Sequence, residues 1–203
     1  ESKKRQGLIF THDIAFLLDL QEKAGELIGI HFTAQTILQQ NEAAGVPNDG
    51  LPWHAMSVKD RLEYLRNKLN EIKALCGAEM VRYDKAVAFL YALLRETWEA
   101  TIEEVVFNKT IIRHGSEVQT FRLRQVGVTT EQYRVIDINM SKCSMWMAGH
   151  DKSKKLDVHR PAPNDVLADI DALSTFAREC KKAGEALRIG READLEPKVS
   201  NVG

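Results

Sequence analysis

The chain has 203 residues, with 28 Lys and Arg against 29 Asp and Glu and a net charge of −1. A hydrophobic share of 44% beside 28% charged residues excludes wholesale disorder and fibrous repeats, and the length bounds the chain to one domain, or one and a fragment. The longest apolar run, Ala86 to Leu94 with Tyr91 inside it, falls short of the roughly 20 residues a membrane span needs, and the balanced charge excludes a surface given over wholly to nucleic acid.

The chain opens Glu1-Ser2-Lys3-Lys4-Arg5 without Met or a signal peptide, and is expected to be the tail of something longer. Gln6 to Phe10 is an apolar run too short for a helix and reads as a buried strand. Thr11 or Asp13 then caps a helix of about three turns, on which Phe16, Leu17, Leu20 and Ala24 share a face. His31 to Gln40 carries β-branched residues in partial alternation and reads as a second strand; Asn41 to Pro52, rich in breakers, reads as a loop and as the domain boundary.

Beyond the loop the periods lengthen. Ser57 caps a helix carrying Leu62, Leu65, Leu69 and Ile72 on one face and ending near Gly77. Tyr83, Val87, Leu90, Leu94, Trp98, Ile102 and Val105 step by three or four along a helix from about Glu79 to Phe107. Thr110 to Val128 reads as irregular or short extended structure. Thr129 or Thr130 caps a helix to about Met147, and Asn164 caps a final one that buries Val166, Ile170, Leu173 and Phe176, with the last dozen residues frayed. The expected fold class is mixed α/β, mostly α. Residues 1–45 form a short strand-loop-helix-strand piece, 46–190 a helical domain and 191–203 a tail.

Three widely spaced cysteines, Cys76, Cys143 and Cys180, suit a reduced cytoplasmic protein better than a disulfide framework. His31, His54, His114 and His159 show no close pair of the kind a zinc site uses, and no metal is expected on them. The tryptophans Trp53, Trp98 and Trp146 read as packing residues rather than base-stacking platforms. Lys152, Lys154 and Lys155 would suit phosphate, although short lysine runs usually mark a solvated loop.

A histidine that follows an apolar strand and precedes a helix stands where α/β sheets bind ligands, although a lone histidine there can equally be part of a helix cap. The run Arg5 to Leu17 resembles the last sheet strand and switch-histidine loop of ABC-type and SMC-like ATPases: an apolar strand, Thr/Ser-His-Asp, then a helix. The resemblance implies that His12 senses the γ-phosphate of ATP, with Thr11 and Asp13 beside it. It also implies that the strand-loop-helix-strand piece is a remnant of a P-loop ATPase sheet.

No GxxxxGK[ST] loop occurs in the 203 residues, so ATP and Mg would be bound mainly by the rest of the ATPase chain, and this chain alone is expected to be inactive as an ATPase. The expected partners are that remainder and, through the nucleotide-binding domains, a second copy; nucleic acid is a further candidate.

A second resemblance runs through Leu51-Pro52-Trp53, the helix with Arg61 to Arg66, the run Leu94 to Asn108, and Met140 to Trp146 with His150-Asp151. These are similar to the helical C-terminal region of large bacterial AAA-type ATPases of the SMC-like group, which includes phage-defence and anticodon-nuclease ATPases. It implies a metal-independent ribonuclease set of Arg95, Glu99 and His150. By spacing alone, Arg95 and Glu99 are also a solvated i,i+4 ion pair worth a few tenths of a kcal/mol, and His150 can simply end a helix. A helical module that docks a partner without chemistry of its own is the remaining alternative; it would expose an apolar patch on a helical face.

Overall fold

The computed structural model describes residues 6–40, 43–112, 117–147 and 160–195. The chain divides into two units, residues 1–56 and 57–203.

In the first unit, α1 (Ile14–Glu26) starts at Asp13. Two strands follow, β1 (Gln35–Gln40) and β2 (Ala43–Asp49), paired antiparallel with Gln35 opposite Asp49 and Leu38 opposite Val46. β2 corrects the expectation of a loop there. Pro47 sits opposite Ile37 although it has no N–H to donate, which is tolerated because a two-stranded sheet consists only of edges. With β2 paired to β1, the unit extends to Met56 and not to residue 45.

The expected strand at Gln6 to Phe10 is also corrected: the segment has no regular structure, and Leu8, Ile9 and Phe10 are 77%, 58% and 80% exposed. A strand exists only through partners that take its N–H and C=O groups, and the described sheet ends at β1 and β2. Mixed α/β, mostly α, therefore describes the chain, with the strands forming a hairpin.

The second unit is helical. α2 (Val58–Ile72) begins at Ser57, whose hydroxyl accepts from the Asp60 N–H at 3.2 Å, and buries Leu62, Leu65 and Leu69. α3 (Met80–Thr101) buries Tyr83, Val87, Leu90, Leu94 and Trp98, the stripe its spacing predicts. Past Thr101 the helix loosens into a π turn, Ile102–Val106. The turn carries an extra residue, so Val106 and not Val105 reaches the core.

α4 (Thr130–Trp146) opens on a capping box, with the Thr129 hydroxyl accepting from the Gln132 N–H at 3.1 Å and the Gln132 side chain accepting from the Thr129 N–H at 2.9 Å. α5 (Pro163–Leu195) starts on proline, whose missing N–H costs a first turn nothing; Asn164 is therefore inside the helix and not its cap. The helix runs about 50 Å, reaching Leu195 and so into the first residues of the tail expected at 191–203, and buries Val166, Ile170, Leu173 and Phe176 as expected. Trp98 packs on Phe176 with ring centres 5.1 Å apart, and Trp146 lies 6.4 Å from Tyr91. The core thus runs along the α2, α3, α4 and α5 seam.

Candidate functional site

The Thr11 to Asp13 turn is built by its own side chains. The Thr11 hydroxyl accepts from the Asp13 N–H at 3.0 Å, and the Asp13 carboxylate accepts from the N–H groups of Ala15 and Phe16 at 2.9 and 3.2 Å. Asp13 is therefore the cap of α1. His12, held between two residues engaged with backbone, is exposed at the start of the helix. The expected placement at a strand end is corrected, since no strand leads into it; a capped helix start is what holds it.

In the second unit α3 brings two of the three expected nuclease residues together. The Arg95 Nε lies 3.5 Å from a Glu99 carboxylate oxygen, with the two side chains 35% and 32% exposed. The guanidinium also donates to the Ser144 hydroxyl on α4, and that hydroxyl donates to the Met140 carbonyl at 2.8 Å. His150 lies outside the described residues, as do Lys152, Lys154 and Lys155.

One turn before Arg95 on α3, Tyr91 donates to the Asp169 carboxylate of α5 at 2.6 Å, and Lys142 of α4 donates to the other oxygen at 2.5 Å. Asp169 is only 8% exposed, so two donors satisfy a carboxylate that would otherwise be costly to bury. Burial, with the Asp169 hydrogen bond second, pushes the Tyr91 hydroxyl well above the usual tyrosine range. Cys143 is buried next to this group. Burial and then the Asp169 charge push its thiol up to about 12, against the opposing pull of Arg95 and Lys142. A thiol held protonated in this way is packing material and not a nucleophile.

Sequence reading missed this clasp of three helices. The available signal was Asp169 lying between the buried positions Val166 and Ile170 of one helical face. The π turn has a structural task as well: its Glu104 carboxylate accepts from the Val58 N–H at 3.3 Å, where an anion favours the start of α2. Arg61, buried on α2, donates to the Glu96 carbonyl at 3.2 Å.

No protein-family profile, curated protein or solved structure matches this chain.

For ATP and Mg the residues near His12 are an incomplete set: Thr11 and Asp13 are occupied with backbone, and no described group of three His, Cys, Asp or Glu side chains could hold a metal ion. Among the described residues no helix is long and apolar enough to cross a membrane. Two open surface depressions, one along Val128 and Leu187 and one along Val135 and Ala172, include none of the expected site residues.

Proposed function

We propose that the chain is the C-terminal part of a cytoplasmic ABC/SMC-like ATPase of the bacterial defence type, contributing His12 to ATP hydrolysis. The observation that carries this reading is the exposure of three consecutive large apolar side chains, Leu8, Ile9 and Phe10, directly before a rigid turn that presents His12. Exposed runs of this kind are expected to be covered by a partner, and an apolar segment without backbone partners among the described residues is suited to join a sheet supplied by the rest of the ATPase. An imidazole at that sheet's rim would orient the attacking water and stabilise charge developing on the γ-phosphate. The test is H12A in the complete ATPase: turnover should fall about 100-fold or more while nucleotide binding persists. Unchanged turnover in H12A sinks the assignment.

A second reading is favoured by the Arg95–Glu99 pair, which stands one-third exposed and is anchored on α4. As a metal-independent ribonuclease effector, Glu99 would take the proton of an RNA 2′-hydroxyl as its oxygen attacks phosphorus. Arg95 would stabilise the resulting phosphorane charge, and His150 would give its proton to the departing 5′-oxygen. The products would be a 2′,3′-cyclic phosphate and a 5′-hydroxyl.

A further inference from the structure

The ribonuclease reading asks Arg95 to meet a phosphodiester at one angle, and this inference rests on that reading. An i,i+4 ion pair whose side chains are one-third exposed is weak and does not hold a long guanidinium side chain in place. Ser144 supplies what the pair lacks. Its hydroxyl proton is committed to the Met140 carbonyl at 2.8 Å, so toward Arg95 it can only accept. The backbone beneath it is fixed by neighbours on both sides: Cys143 is 2% exposed, Trp146 is buried against Tyr91, and Lys142 is tied to Asp169. Arg95 is thereby referenced to the packed seam of α3, α4 and α5, while its guanidinium stays partly open to solvent.

We propose that Ser144 is the positioning residue for Arg95: its hydroxyl, locked by the helix it sits on, sets the orientation in which the guanidinium receives an RNA phosphodiester.

The experiment uses the 203-residue chain with bulk transfer RNA as the probe and scores 2′,3′-cyclic phosphate ends. S144A should lower kcat about tenfold with KM within about twofold, because orientation and not affinity is lost. S144T, which keeps the hydroxyl, should restore the rate, and thermal unfolding of both variants should match the parent chain. On an R95K background, where the bidentate fork is already gone, S144A should cost less than about twofold, since the two changes act through one group.

Normal kcat in S144A while R95A is inactive overturns the positioning role and leaves the ribonuclease reading standing. A fall that S144T does not restore, or that adds in full to R95K, also overturns it. Absence of cyclic-phosphate ends from the unsubstituted chain, or full activity in R95A, overturns both.

Discussion

At the residue scale, Cys143 shows how burial, with a neighbouring carboxylate second, fixes the protonation of a thiol. Asp169 accepts from Tyr91 and Lys142, and burial together with that carboxylate holds the Cys143 thiol protonated to about pH 12. The consequence for stability has a definite sign. Below about pH 9, the ordinary thiol value, Cys143 is protonated in folded and unfolded chains alike; above it the unfolded chain releases a proton that the folded chain keeps. Stability therefore falls as pH rises from about 9 toward 12. Cys180, also raised by burial, adds in the same direction, and Tyr83 and Tyr91 join above about pH 10. Urea unfolding between about pH 9 and 10 should give a shallower loss of stability in C143A than in the parent chain. Equal slopes would show that the thiol is not held protonated by the fold.

At the element scale, close approach decides which glycines matter. α5 passes the short helix at Thr120–Gln125 so closely that a Cβ on Gly184 would stand 2.9 Å from the Gln125 carbonyl oxygen, a backbone atom that cannot swing aside. Arg191 donates to the carbonyls of Leu123 and Val126 at 2.6 and 3.0 Å and fastens the same contact. A Cβ on Gly190 in the same helix would meet nothing within 4 Å. G184A should accordingly destabilise the chain by about 1–3 kcal/mol through overpacking, whereas G190A should stabilise it by about 0.5–1 kcal/mol as an ordinary helix-interior replacement. Denaturant midpoints measure both, and a similar shift in the two variants would rule out the tight contact. The π turn after α3 belongs to this scale too: it brings Val106 to the core and Glu104 to the start of α2.

At the scale of the whole molecule, the two units differ in how far each satisfies itself. Residues 57–203 contain most of the buried core, including Trp98, Tyr91, Leu65 and Ile170. In the first unit Leu8, Ile9, Phe10, Leu27, Ile28 and Ile30 are all more than half exposed. Residues 57–203 expressed alone should therefore unfold cooperatively with a helical circular dichroism signal, as an autonomous unit does. A broad, non-cooperative transition would show that the core needs the first unit.

What the sequence by itself determined is whatever depends on residues within a turn or two of each other. The cap at Ser57, the cap positions narrowed to Thr11 or Asp13 and to Thr129 or Thr130, and the buried stripe from Tyr83 to Trp98 were legible because capping and helical periodicity act over three or four positions. So was the Arg95–Glu99 pair, four apart on one helix. The tertiary structure alone decided whether an apolar run becomes a strand. Gln6 to Phe10 found no described partner, whereas the breaker-rich Ala43–Asp49 found β1, because a strand is defined by hydrogen bonds to another segment and not by its own residues. It alone joined Tyr91 to Asp169 across 78 positions and Arg95 to Ser144 across 49. A buried polar group takes its partner from wherever packing delivers one, and no local pattern encodes that choice.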